Sequence, residues 1–317
     1  MTENPVQLEN VTKRYGAFTA VNDLSFSVRQ GEIYGFLGPN GAGKTTTLRM
    51  LLDIVQPSEG RISILGSSSA IPVRRRIGYL PEERGLYRKM KAVDSIAYFA
   101  QLRGLPSGAA KKKARQLLEQ FGLGKFARAK NEALSKGMAQ KVQLLATIAH
   151  EPELLILDEP FSGLDPINQQ TLEALIADQR ANGRTIIFST HVMQHAERLC
   201  DRFLILAQGR KRFEGTLSEA RAAFGQRLHV RSSAPAAAFE ALAGVIAARH
   251  ERDCGDEYEY EIELADGADP QDFLRQAIGA GLLLTKFEQA GATLHDIFVS
   301  LAGDEAAAPA RMAEAAE

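Results

Sequence analysis

The residues with the clearest chemical potential form a glycine-rich stretch, "GPNGAGKT", at positions 38–45. This stretch fits the pattern G-x-x-x-x-G-K-[ST], and it lies between an apolar run, "IYGFL", and a segment with helical spacing. Gly38, Gly41 and Gly43 allow the backbone to turn its amides toward a phosphate at the start of a helix. Lys44 is then placed to bridge two phosphates, and Thr45 to ligate Mg²⁺. We therefore predict a nucleotide phosphate site.

A pair of acids follows a second apolar run, "LLILDEP", at positions 154–160. At the end of a buried strand, Asp158 is placed to hold Mg²⁺, and Glu159 to take a proton from an attacking water. The distance of 114 residues from Lys44 to Asp158 disfavours a compact GTPase, and the chain has no NKxD guanine motif.

The elements that must position these residues are predicted from the pattern of apolar side chains. In residues 6–37 apolar and polar side chains alternate in short runs, which predicts short strands. Residues 92–149 have an almost wholly helical pattern. The runs "ELLILDEP" and "TIIFST" are predicted strands on either side of a helical stretch, which makes one βαβ unit of a parallel sheet. Residues 227–289 follow the order βαββαβ, which is the ferredoxin-like pattern. The acidic strand "EYEYEIE" within it is interpreted as an exposed sheet surface.

Composition places the chain among globular proteins of about two domains. It has 317 residues, of which 45% are hydrophobic and 24% charged, and a net charge of -1, so no charge bias points to nucleic acid. We expect neither a secretory signal nor a membrane span, and the two distant cysteines indicate a reducing compartment without a cysteine metal site. The basic runs "RRR" (74–76) and "KKKAR" (111–115) are interpreted as solvated, with contact to a membrane surface as the alternative.

Further motifs appear in a recognisable order, namely "FSGLDP" after the acids, "STH" at 189–191 and "LSKGM" at 134–138. With these, residues 6 to about 215 resemble the ATP-binding subunit of an ABC transporter. The resemblance implies that Tyr15 stacks on adenine, that Glu82 takes the place of the Q-loop glutamine as a ligand near Mg²⁺, and that His191 reaches the γ-phosphate. The site residues implied for ATP and Mg²⁺ are Tyr15, Gly38, Pro39, Asn40, Gly41, Ala42, Gly43, Lys44, Thr45, Thr46, Glu82, Ser135, Gly137, Asp158, Glu159, Asp165 and His191.

The stretch "LSKGM" departs from the usual signature L-S-G-G-Q, since Lys136 and Met138 replace a glycine and the glutamine. Ser135 and Gly137 are retained, and the stretch still makes a helix start that can face an anion. In the family these groups contact ATP held by another subunit. The resemblance therefore implies a homodimer, or a pair of ATPase subunits, that closes head to tail around two nucleotides.

"YLPEERGLY" and "LSKG" together resemble a subgroup of ABC exporters whose ATPase chain assembles with separate permease chains that move sodium, drugs or lipids. This implies a peripheral subunit at the cytoplasmic face of the plasma membrane. The alternative is a soluble nucleotide switch or sensor that is not coupled to transport. The substrate is not encoded in this chain, because the permease lines the pathway.

The resemblance implies an α/β P-loop NTPase core of the ABC ATPase type, with a mixed sheet, an antiparallel β region and a helical subdomain, followed by a small α+β ferredoxin-like domain. The expected ATPase domain covers residues 1–215, with the helical subdomain at about 85–149. A linker at 216–226, an accessory domain at 227–302 and a disordered Ala-rich tail at 303–317 complete the prediction.

Overall fold

The computed structural model describes residues 4–83, 85–223, 226–265, 267–291 and 293–302. It contains two compact units, with the division after Glu214. Within the described ranges, no helix combines the length and apolar character needed to cross a bilayer. The predicted tail at 303–317 lies outside the described residues.

The first unit is built from nine strands and seven α-helices among its described residues. The strands are β1 (Val6–Tyr15), β2 (Phe18–Val28), β3 (Ile33–Leu37), β4 (Glu59–Ile64), β5 (Ile77–Leu80), β6 (Leu154–Leu157), β7 (Thr185–Thr190), β8 (Arg202–Ala207) and β9 (Arg210–Gly215). The helices are α1 (Lys44–Leu51), α2 (Ala70–Val73), α3 (Ala92–Leu102), α4 (Ser107–Gln120), α5 (Lys136–Ile148), α6 (Pro166–Ala181) and α7 (Met193–Leu199).

A six-stranded sheet in the order β5-β6-β7-β3-β8-β9 forms the centre of this unit. The pairs β5–β6, β6–β7, β3–β7 and β3–β8 are parallel, as predicted from the βαβ pattern. Every residue of β3, β6 and β7 is buried, which is typical of parallel strands covered on both faces. The carboxyl ends of β3, β5, β6 and β7 therefore meet at one edge, where the predicted site residues follow them.

A second sheet, β2-β1-β4, is antiparallel and covers one face of the central sheet. Val6 and Leu8 on β1 are buried together with Phe36 of β3 and Leu48 of α1 in one hydrophobic cluster. A second cluster joins β5–β7 to the three helices α3, α4 and α5. These helices lie in the region predicted to be helical, so the α/β fold with its antiparallel and helical parts is confirmed.

The second unit has an antiparallel four-stranded sheet in the order β11-β12-β10-β13. Its described elements are α8 (Leu217–Ala223), β10 (Gln226–Ser232), α9 (Ala236–Glu240), β11 (Val245–Cys254), β12 (Glu257–Leu264), α10 (Pro270–Gly279), β13 (Lys286–Gly291) and α11 (Leu294–Ala302). The ferredoxin-like order βαββαβ is observed from β10 to β13. Helix α8 lies inside the stretch predicted as a linker, where the sequence analysis anticipated no helix.

The acidic strand β12 differs from the exposed surface that its sequence suggests. Glu259 is only 3% exposed, because cations from the neighbouring strands cover it. Arg252 of β11 and Lys286 of β13 donate to its two carboxylate oxygens, and Arg231 of β10 lies 3.6 Å away. The cross-strand register, which brings Arg231 and Arg252 opposite Glu259, accounts for this burial. These partners, Arg252 foremost, lower the pKa of Glu259 to about 2.

Because the folded pKa of Glu259 is below that of an unfolded glutamate, its ion pairs should stabilise the protein above about pH 4.3, with the contribution lost as pH falls toward 2. We expect Glu259→Gln to lower the urea midpoint at pH 7, with the difference from wild type narrowing as the pH falls from about 4.3 to about 2. Glu263→Gln, which removes a single ion pair to Arg249, is the matched control and should have a smaller effect. A Glu259→Gln difference that stays constant with pH would contradict this assignment.

Candidate nucleotide-binding and catalytic site

The glycine loop joins the end of β3 to the start of α1. Gly41 and Gly43 have φ angles of 80° and 101°, which side chains rarely adopt. A Cβ atom at Gly43 would lie 2.6 Å from the carbonyl oxygen of Ala20, so only glycine fits this close approach. Gly43 is also the N-cap residue of α1, whose free amides favour an anion. The loop therefore has the shape and polarity of a phosphate cradle.

Lys44 is folded back against this loop and is only 6% exposed. Its Nζ donates to the carbonyl oxygens of Gly38 (2.7 Å) and Pro39 (3.2 Å), and it lies 3.4 Å from Oε1 of Glu159. The ammonium is therefore surrounded by carbonyl and carboxylate oxygens. It is thus positioned to contact a phosphate that enters the loop.

Asp158 follows β6 at the same edge of the sheet. Its Oδ1 accepts hydrogen bonds from Ser189 Oγ (2.6 Å) and from Thr45 Oγ1 (3.3 Å), and its backbone N–H donates to Leu80 O. Burial raises the pKa of this carboxyl above its usual range. The carboxylate and the Thr45 hydroxyl are adjacent oxygen donors of the kind that Mg²⁺ prefers, and the site therefore fits this ion.

Glu159 is held in an unusual conformation, with a φ angle of 45°. Its backbone N–H donates to Ser189 Oγ (2.8 Å), and its Oε2 lies 3.0 Å from Nδ1 of His191. Its Oε1 is buried and has no hydrogen-bond partner within the ranges that the structure describes. A buried carboxylate oxygen without a hydrogen bond is a suitable acceptor for the proton of a bound water.

The glycine loop, Lys44, Thr45 and Glu159 open into one cleft of about 340 Å³. Glu82 and Glu159 line it together with the loop, and Phe18 and Ala20 form its outer part. The loop residues that line the cleft are Pro39, Asn40, Gly41, Ala42, Gly43, Lys44, Thr45 and Thr46. The volume lies within the usual range for a small-molecule site.

Tyr15, predicted to stack on adenine, is not among the residues found to line this cleft. It is 48% exposed, it lies opposite Phe18 in the β1–β2 hairpin, and the Lys13 ammonium lies 4.9 Å from its ring centre. Phe18, which is 65% exposed, is the aromatic side chain at the cleft itself. The role of Tyr15 stays a prediction.

Ser135, Gly137 and Asp165 lie together in a second group. Ser135 is the N-cap residue of α5, and its Oγ accepts from Met138 N. Asp165 caps α6 through the backbone N–H of Asn168 (2.9 Å), and the Asn168 amide covers Gly137, where a Cβ atom would be only 2.5 Å from it. None of the three lines the described cleft of Lys44 and Glu159.

Two residues of the site were missed in the sequence analysis. Ser189 links Asp158 to Glu159, since its hydroxyl donates to the first and accepts from the second. The only sequence signal for it is a small polar residue at the end of a buried strand, two positions before His191. Phe18 gave no signal, because its place at the cleft depends on how the β1–β2 hairpin packs.

Two protein-family models match the chain. Residues 21–162 match the family model described as "ABC transporter", and residues 215–302 match that of the "ATP-binding protein DrrA1-3-like, C-terminal domain". YhaQ of Bacillus subtilis, an ABC transporter ATP-binding protein, is 37% identical over 93% of this chain and 98% of its own. The Nod factor export ATP-binding protein I of Burkholderia orbicola is 42% identical over 68% of this chain and 72% of its own.

A solved structure described as the ATP binding subunit of an ABC transporter superposes with a TM-score of 0.64. It is 35% identical and covers 69% of this chain and 92% of its own. The match to YhaQ extends through both units of the present chain. The chain therefore belongs to the ABC transporter family as an ATP-binding subunit, the class of chain whose ATP hydrolysis energises transport.

Proposed function

We propose that this chain binds and hydrolyses Mg-ATP to energise export through a separate permease. The observation that carries the proposal is the position of Glu159. Its carboxylate lies between Lys44 and His191, and it is next to the Asp158–Thr45 pair of oxygen donors. This arrangement brings a phosphate cradle, a metal-ligand pair and a general base together at one edge of the central sheet.

ATP binding would use the amides of the glycine loop and the ammonium of Lys44 for the β- and γ-phosphates. Asp158, Thr45 and Glu82 would hold Mg²⁺. When bound, this ion would neutralise part of the negative charge of the phosphates. Oε1 of Glu159 would accept the proton of the attacking water, and His191 would fix the carboxylate through Oε2 until the γ-phosphate is in place. Ser189 would hold Asp158 and Glu159 in their relative positions through its two hydrogen bonds.

The second group of predicted residues supports a site shared between two copies. Ser135 and Gly137 lie at a helix start that does not line the cleft of their own chain, as expected if they contact ATP held by a partner copy. We propose a head-to-tail homodimer, or a pair with a related ATPase subunit, that closes on ATP and opens after hydrolysis. Lys136 adds a positive charge at that contact.

The export direction and the membrane location are supported by the relatives. The Burkholderia relative is named for Nod factor export, and this chain has the same ATP-binding core over 218 aligned residues. We propose a peripheral position at the cytoplasmic face of the plasma membrane.

The ATPase domain would comprise residues 1–215 with its helical subdomain at about 85–149, and residues 227–302 would form the accessory domain. The division of the chain after Glu214 supports the end proposed for the ATPase domain.

Purification of tagged Glu159→Gln protein from detergent-solubilised membranes of its own host tests the proposal. With Mg-ATP present, we expect a multi-span chain to co-purify in stoichiometric amount and to be identified by mass spectrometry. The same purification without nucleotide is the control, because it shows whether recovery of the multi-span chain depends on the ATP-bound, closed dimer. Recovery of ribosomal, nucleoid or other soluble proteins alone would contradict the transport function and favour a soluble nucleotide switch.

A further inference from the structure

The four-stranded sheet of the second unit has one apolar face and one charged face. Side chains alternate between the two faces of a strand, and Leu228, Val230 and Ile262 are buried in the hydrophobic core of the unit. The residues that alternate with them on β10 and β12, and so lie on the charged face, are Arg227, His229, Arg231, Glu259, Glu261 and Glu263.

The carboxylates on this face differ in their partners. Glu259 and Glu263 are each paired with an arginine of β11. Glu251, on β11 itself, is different, since no Arg or Lys of the described chain forms an ion pair with it. Its Oε2 lies 3.0 Å from Nδ1 of His229. A neutral imidazole can donate a hydrogen bond to Glu251 but does not balance its charge.

A β-bulge in β11 brings Glu251 to the charged face together with its neighbour. The register shifts between His250 and Arg252, which leaves Glu251 as the extra residue. Strict alternation would place Glu251 and Arg252 on opposite faces. With the bulge, both reach the same face, because Arg252 binds Glu259 while Glu251 contacts His229.

Three metal-binding side chains from three strands converge at this point. His229 of β10 lies directly opposite Glu261 of β12, and Glu251 comes from β11. One ligand atom of each residue lies within 4.8 Å of the ligand atoms of the other two. Bonds of about 2.0–2.2 Å to a tetrahedral Zn²⁺ place neighbouring ligand atoms about 3.3–3.6 Å apart. The 3.0 Å between His229 and Glu251 is close to this spacing, and rotation of the Glu261 carboxylate brings the third ligand atom in.

Arg227 orients the Glu261 carboxylate without using up its capacity to bind an ion. Its Nη1 lies 3.1 and 3.2 Å from the two oxygens of Glu261. A carboxylate offers about four lone-pair positions, so one oxygen can bind a metal while the other accepts from Arg227. Hydrogen bonds of this kind hold ligand carboxylates in place at metal sites. Arg227 also balances one of the two negative charges, and the remaining charge favours a cation.

We propose that His229, Glu251 and Glu261 bind a zinc ion, with water as the fourth ligand. Mg²⁺ and Ca²⁺ prefer oxygen ligands alone, whereas Zn²⁺ accepts an imidazole nitrogen together with carboxylates. The site belongs to the second unit and does not rest on the proposed transport function. The bound ion joins β10, β11 and β12, and thereby fixes β11, which is an edge strand of the sheet.

Isothermal titration of Zn²⁺ into the chelator-treated full-length protein, with Mg²⁺ in excess, tests the ligands. We expect saturable binding that Glu251→Gln and His229→Gln each weaken about tenfold or more. Glu251→His should retain it, because imidazole is also a zinc ligand. His250→Gln, at an exposed histidine of the same strand that pairs with Asp253, is the matched control and should bind as the wild type does. No saturable binding, wild-type affinity in Glu251→Gln, equal losses in Glu251→His and Glu251→Gln, or displacement by Mg²⁺ would each overturn the proposal.

Hydrogen exchange of the full-length protein tests where the ion binds. Zn²⁺ should slow amide exchange in β11 of the wild type and leave β11 of Glu251→Gln unchanged. Glu251 is exposed and its side chain contacts His229 alone among the described residues, so the variant is expected to fold, and circular dichroism without Zn²⁺ checks this. Unchanged exchange in β11 of the wild type, or equal slowing in the variant, would show that Zn²⁺ binds elsewhere and would overturn the assignment.

Discussion

Replacement of Glu159 with glutamine is expected to lower the rate of ATP hydrolysis by about 10²–10⁴-fold, the usual contribution of a positioned general base. Glutamine has nearly the same shape, and its one side-chain oxygen can face either Lys44 or His191. It cannot take a proton from water. We therefore expect ATP affinity, measured by equilibrium binding, to remain near that of the wild type, while phosphate release in a steady-state assay nearly stops.

The matched control for this variant is Glu151→Gln, which removes an exposed carboxylate that pairs with Lys113. It should hydrolyse ATP at the wild-type rate. Both variants should be assayed together with the permease, because an isolated ATPase subunit can hydrolyse ATP slowly. Wild-type turnover by Glu159→Gln under those conditions would show that another group acts as the base.

Replacement of Lys44 with alanine is expected to weaken Mg-ATP binding about tenfold to more than a hundredfold. Hydrogen bonds to charged groups contribute about 1.5–3 kcal/mol, and Lys44 would make such bonds to two phosphates. The loss should be large here because Lys44 is buried and held in place by the carbonyl oxygens of Gly38 and Pro39. Its removal also takes away the ammonium that lies 3.4 Å from Glu159, so the repulsion between Glu159 and a phosphate increases.

Isothermal titration calorimetry with a slowly hydrolysed ATP analogue measures this loss. Lys113→Ala, which removes an ammonium paired with Glu151, should bind the analogue as the wild type does. Thermal unfolding of the apoprotein distinguishes a binding defect from misfolding. An unchanged affinity in Lys44→Ala would mean that the loop amides alone bind the phosphates, and the role assigned to Lys44 would be wrong.

Local patterns in the sequence predicted much of the fold and part of the site. The apolar runs before Gly38 and Asp158 are buried parallel strands, so the residues after them necessarily meet at one edge of the sheet. For this reason Lys44, Asp158 and Glu159 lie together as their positions in the sequence suggested. Glu82 lines the same cleft because β5 is the neighbour of β6 in that sheet.

Features that depend on packing between distant segments were not predictable. The Ser189 hydroxyl joins acids that are about thirty residues earlier in the chain, and no spacing rule connects them. Burial of Glu259 follows from the register of three strands, whereas its sequence neighbourhood suggests only a charged face.

The left-handed backbone conformation of Glu159 lowers the stability of the fold at a position proposed to be needed for activity. A non-glycine residue at a φ angle of 45° costs about 1–3 kcal/mol, and glycine or asparagine would adopt this conformation at lower cost. Neither residue can act as a base toward water. With Glu159 as the proposed general base, the chain therefore keeps a residue that lowers its stability but that hydrolysis requires. A screen for thermal stability that allows every residue type would therefore select glycine or asparagine at position 159, and we expect the resulting chain to be more stable but inactive.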